Sequence, residues 1–146
     1  MPGTGYRDTY NYLGIRAGAS AGPDVYDAPK PPPIGDGLEV TILDGGVAYL
    51  QNFNPQGQEG ASWIVAVRGN GVQGKSVVSL TPAGALPPGY ELHVLDLARE
   101  NAVPAGAWAF EADLPAGGAP HLYKVILGSS AFAARESNGI PLEPVA

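Results

Sequence analysis

The chain has 146 residues with 8 basic and 14 acidic side chains, a formal net charge of −6, and no basic run. A phosphate-binding stripe needs clustered cations, so nucleic acid and anionic membrane surfaces are excluded as expected partners. The absence of cysteine excludes disulfides and thiolate metal sites, and no apolar run approaches the ~18 residues that a membrane-spanning helix needs.

Apolar residues make up 45% of the chain, enough for a single domain with a core. Gly and Pro, 21 and 15 residues, are abundant. They punctuate short apolar stretches and fill the N-terminal part, so they read as turns rather than low complexity. The opening MPGTGYRD has neither a basic nor an apolar segment. The expectation is therefore a cytosolic chain or a processed piece of something longer.

Residues 1–37 form a distinct arm. They hold four of the seven tyrosines, Tyr6, Tyr10, Tyr12 and Tyr26, and a Lys30–Pro33 run that reads as a polyproline-II spacer. Within the arm, Leu13, Ile15 and Ala17 alternate with Gly14 and Arg16, which predicts an extended Tyr10–Ala17. Asp8, Asn11, Asp24 and Asp27 offer oxygens of the kind calcium takes, but match no EF-hand loop. Local Asx turns are the rival role for Asp8, Asn11 and Asp24. No cofactor is expected.

From residue 38 onward, seven segments alternate like strands: Leu38–Leu43, Val47–Asn52, Ser62–Arg68, Lys75–Leu80, the stretch Leu86–Asp96, Ala107–Ala112 and His121–Leu127. The stretch LPPGYELHVLD opens on a Pro-Pro-Gly turn and then sets Tyr90, Leu92 and Val94 against Glu91, His93 and Leu95. Such spacing predicts an all-β fold, a seven-stranded antiparallel sandwich over residues 38–128. The expected core is Trp63, Val65, Val67, Leu92, Val94, Trp108 and Phe110. Gln51–Gly60 reads as a polar loop, and Asn70-Gly71 as a hairpin signal. Residues 129–146 read as a tail with one or two helical turns, Ser130 as N-cap and Gly139 just past the end.

Catalytic motifs are missing. Ser62, Ser76, Ser79, Ser129, Ser130 and Ser137 lie in no Gly-x-Ser-x-Gly context, so the expectation is that the chain is not an enzyme. His93 and His121 both fall in strands and read as ordinary strand histidines, since zinc needs three or four converging ligands. No Asn-x-Ser/Thr sequon is present.

The two ends carry a resemblance. At the front stand Asp8, Tyr10-Asn11, Leu13-Gly14, Ala17–Ala21, Asp24/Asp27 and Pro29–Pro33. At the far end stand Val125–Gly128, Phe132, Asn138 and Gly139–Val145. Together they resemble a module of large secreted bacterial proteins that precedes a type IX secretion sorting domain, of the immunoglobulin-like kind found in flagellar-hook-capping and sorting modules. Members of that kind continue upstream of the arm. The resemblance implies an immunoglobulin-like sandwich, an extracellular or cell-surface setting, and a chain that stops where a sorting domain begins.

The function expected is a non-catalytic structural or assembly module. An extended arm adds to an open sheet edge through main-chain hydrogen bonds, with Tyr10, Tyr12, Leu13, Ile15 and Ala17 as the assembly residues. Docking on a neighbouring copy, slightly favoured over docking on the same chain, makes a homo-oligomer or filament. Carbohydrate binding through exposed rings such as Tyr6, Tyr10, Tyr12 and Tyr26 is the alternative.

Overall fold

A computed structural model describes residues 12–16, 27–30, 37–44, 47–55, 59–71, 74–80, 86, 88–103 and 109–142. Ten strands and one α-helix lie in these segments. They are β1 (Tyr12–Arg16), β2 (Ala28–Pro29), β3 (Gly37–Asp44), β4 (Val47–Pro55), β5 (Gly60–Asn70), β6 (Gly74–Ser79), β7 (Glu91–Asp96), β8 (Asn101–Ala102), β9 (Ala109–Leu114), β10 (His121–Gly128) and α1 (Ser130–Glu136). The fold is all-β with one short helix. Every one of the seven expected strands has a counterpart, while β1, β2 and β8 raise the number beyond seven.

An eight-stranded sheet runs β1-β4-β3-β5-β10-β7-β8, with β2 also on β4. It is mixed rather than antiparallel, because β1 lies parallel to β4. A two-stranded ribbon, β6–β9, is separate. The Asn70-Gly71 pair therefore makes no hairpin. Gly71 turns the chain with φ 70°, but both edges of β5 are already occupied by β3 and β10, so β6 leaves to pair with β9.

Alternation along the central strands divides the side chains between two cores. Ala61, Trp63, Val65 and Val67 of β5 share a face with Ile42, Val94, Tyr123, Val125 and Leu127. Ala112 and Leu114 of the ribbon are buried in the same cluster, with Phe110, Val78, Leu92 and Leu13 partly buried against it. Trp63 is 3% exposed. Trp108 lies outside the described residues.

The opposite face carries Leu95, Ala102 and Ile126, covered by Ala133 of α1 and by Phe132, Ile140 and Leu142. Ser129, not Ser130, caps this helix: its Oγ accepts from the Phe132 N–H at 3.2 Å. At the other end Asn138, φ 51°, takes the first left-handed position after the C-cap Ser137, and Gly139, φ 88°, the second.

The helix sits where it does because of two glycines. Gly60 and Gly128 face each other across β5 and β10. A Cβ on either would stand 2.6 Å from the Phe132 ring, and closer than 3 Å to facing backbone atoms. Bare backbone at both positions makes the recess that Phe132 occupies.

Candidate functional site

Three places combine chemistry or exposed main chain, and they are built differently. The first is at the end of the ribbon-facing side. Asp96 ends β7 and His121 begins β10, and adjacency of those strands brings them together at 2.9 Å, Nε2 to Oδ1. Both side chains are about 95% buried, with relative exposures of 4% and 5%. Asp96 Oδ1 also accepts the N–H groups of Ala98 and Arg99, each at 3.0 Å, which forms the turn into β8. Arg99 lies 3.8 Å from Asp96 and donates to Asp113 at 2.9 Å, joining this turn to the ribbon. The Tyr123 ring stacks on His121 at 4.6 Å and tilts against Phe110 at 4.9 Å. The Tyr123 hydroxyl is buried and finds no hydrogen-bond partner among the described residues. Burial, with the Asp96 carboxylate nearby as the next cause, pushes its ionisation above the usual tyrosine range. A neutral phenol in a closed core is a packing group rather than an acid poised for proton transfer.

The second place is on the helix side. Glu91 Oε1 lies 2.9 Å from His93 Nε2, and Glu91 Oε2 accepts from the Ser130 hydroxyl at 2.6 Å. The His93 and Ser130 contacts hold the Glu91 carboxyl below the usual carboxylate range. In a hydrolytic relay the imidazole stands between hydroxyl and acid. Here the carboxylate stands between the other two, so His93 does not face the Ser130 proton. At the other end of the helix a second serine–carboxylate contact forms. Ser62 donates to Glu136 at 2.6 Å, and Lys124 donates to the Glu136 carbonyl at 2.7 Å. The Ser62 bond, outweighing desolvation, lowers the Glu136 carboxyl. Arg135 pairs with Glu59. These contacts fasten α1 to the sheet. Among the described residues no three His, Cys, Asp or Glu side chains converge as a metal site.

The third place is the arm. Tyr12–Arg16 runs parallel to Gln51–Pro55 of the same chain, in the register Tyr12↔Gln51 to Arg16↔Pro55. This same-chain docking is the less favoured of the two geometries weighed from the sequence. Gln51 faces Tyr12 on one side and Ala28 on the other, while Tyr49 faces Ile42 and Pro29. A strand residue has only two neighbours in a sheet, so β1 and β3 share one edge of β4 and β2 holds the opposite edge. Pro29, which has no N–H to give, is tolerated because β2 is an edge strand among the described strands. Its successor Lys30 donates its N–H to the Ala48 carbonyl at 2.9 Å.

Beyond Tyr49, β4 parts from β3, and β1 takes up that exposed main chain. The strand expected over Val47–Asn52 therefore runs on through Phe53–Pro55, which were expected to be loop. Leu13 packs into the main core and Tyr12 is 50% exposed. Ile15 pairs through its backbone with Asn54. The Ile15 side chain, and Tyr10, Ala17, Tyr6, Tyr26, Asp8, Asn11 and Asp24, lie outside the described residues. Among the aromatic side chains described, Tyr12 alone is exposed; Tyr49, Trp63 and Tyr123 are in the core.

Sequence reasoning missed the Asp96–His121 pair and the Gly60–Gly128 recess. Asp96 carried a weak signal, an acid closing a strand before LARE, but its partner lies 25 residues away. Gly128 and Phe132, both part of the C-terminal pattern, lie against each other in this recess. Compared with known protein families, curated proteins and solved structures, this chain matches none.

Proposed function

We propose that this chain is a non-catalytic structural and assembly module of a secreted or cell-surface bacterial protein, joined to its neighbours through its N-terminal arm by strand addition. In this reading the large sheet and the β6–β9 ribbon are the two layers of an immunoglobulin-like sandwich. The secreted setting rests on the sequence resemblance of the two ends.

One observation carries the assembly reading. The half of β4 that β3 does not pair with receives β1 as an added strand, through main-chain hydrogen bonds and the Leu13 side chain. That is the physics by which extended segments bind sheet edges. The histidine-carboxylate pairs support the non-catalytic part, because each is engaged in holding strands or the helix together.

Negative-stain microscopy of native material, with light scattering on the purified chain, tests this. The expected result is oligomers or filaments that are lost when residues 1–16 are deleted while the sandwich still melts cooperatively. Native material that is monomeric, and unchanged by the deletion, refutes it.

A further inference from the structure

We propose that β1 is an exchangeable strand whose partner is a second copy of this chain: Tyr12–Arg16 of one copy occupies the place beside Gln51–Pro55 of another. The inference rests on the assembly reading above and names its partner and its contact.

The occupant follows from the structure, because the acceptor edge already holds a segment that fits it. A second copy presents the same five residues, so every contact of the closed chain is remade in the exchanged pair. Three features make the exchange accessible. Among the described strands β1 pairs with β4 alone. That pairing is parallel, slightly weaker per residue than antiparallel. Leu13 is its one described core contact, and Tyr12 remains half in solvent. A strand held this way opens locally without unfolding the remainder.

The connection is long enough to permit it. Arg16 stands beside Pro55 on one edge of β4, and Ala28 beside Gln51 on the other. Two inter-strand spacings and four residues of rise put these points about 16 Å apart. Residues 17–27 join them, and an extended chain of that length reaches about 40 Å. The excess lets β1 leave for a neighbour while β2 stays in place.

The same linker sets when exchange occurs. A segment tethered this closely acts at an effective concentration on the order of millimolar. The closed chain therefore wins in dilute solution, and exchange takes over at millimolar density or where copies are held side by side. The charge of −6 per chain opposes close approach, so physiological salt favours the exchanged form over low salt.

Removing residues 18–25 leaves three linking residues, whose reach of about 14 Å falls short of the span. The shortened chain cannot close with both β1 and β2 in place.

The chain has no cysteine, so introduced thiols report docking directly. A double variant, Tyr12→Cys with Gln51→Cys, reports the closed form by an intrachain disulfide. Mixing a chain carrying only Tyr12→Cys with an isotope-labelled chain carrying only Gln51→Cys reports exchange by a covalent heterodimer, read by non-reducing mass spectrometry. Tyr12→Cys mixed with Val77→Cys on the exposed face of β6 is the control for random encounter.

The expected result is an intrachain disulfide alone at micromolar concentration. Heterodimer should rise at least tenfold over the control at millimolar concentration, and at micromolar concentration when both chains carry the deletion. A mixture that never exceeds the control, whether or not the double variant closes, overturns the exchange. If the chain still assembles by light scattering and loses that assembly when residues 1–16 are deleted, the arm docks at another edge and the assembly reading stands without the exchange; if assembly survives the deletion, both readings fall. If the chain is instead monomeric at millimolar concentration, both fall together.

Discussion

Replacing Gly128 by alanine is the sharpest test of how the helix is seated. The added Cβ would meet the Phe132 ring at 2.6 Å, the Glu59 carbonyl oxygen at 2.7 Å and the Gly60 Cα at 2.9 Å. Real Cβ atoms do not approach so closely, so something must move. The ring can swing away, but the Glu59 oxygen cannot easily do so. It accepts the Ser129 N–H at 2.9 Å, the residue that caps α1. Relief by backbone movement therefore disturbs both the β5–β10 pairing and the helix cap.

Overpacking of this kind costs about 1–3 kcal/mol, and two obstructing backbone atoms put the expected cost at about 3 kcal/mol. For a domain of this size that lowers Tm by roughly 6–12 °C, measured by calorimetry or circular dichroism. A double-mutant cycle separates the two sources. With Phe132→Ala present, the ring clash is gone and the cost of Gly128→Ala should fall by about 1 kcal/mol, leaving the backbone part. A Gly128→Ala protein that melts within 1 °C of wild type refutes the recess, and an additive cycle refutes the contact with Phe132.

Asp96→Ala should cost about 3–5 kcal/mol in denaturant unfolding, because it leaves two N–H groups and a buried imidazole without their acceptor. Arg99→Ala, at a half-exposed position, should cost less than about 1 kcal/mol; equal costs for the two would contradict a buried structural pair. The seating of α1 should also weaken in acid. Glu136 has a folded-state pKa below its ordinary 4.5, so its contribution is complete above that value and is lost as pH falls through the lowered folded pKa. The protection factors of the α1 amides, observed exchange corrected for the intrinsic rate that itself slows in acid, should therefore fall on going from pH 6 to pH 3, and Glu136→Gln should flatten that fall; an unchanged pH profile in the variant would show that Glu136 does not hold the helix.

Much of the local structure is legible in the chain itself. Trp63, Val65 and Val67 alternate with Ser62, Ile64 and Ala66, and β5 buries the first set in the main core. The stretch after Gly128 has helix formers and a serine cap, and α1 forms within one residue of the expected start. Period and capping are properties of neighbours in sequence, so a reader of the sequence has what is needed.

The partners of each strand are another matter. Nothing near Phe53–Pro55 says that it will be strand, because its partner is Gly14–Arg16, about forty residues earlier. Asn70-Gly71 carries the local chemistry of a hairpin, yet the edges of β5 are taken by β3 and β10 and the chain must leave. Asp96 and His121 meet only because β7 lies beside β10, and Gly60 faces Gly128 only because β5 lies on its other side. Short-range geometry decides which residues face in and which face out. Which edges remain open, and so which segment can close them, is decided only when the whole sheet competes for its own main-chain donors and acceptors.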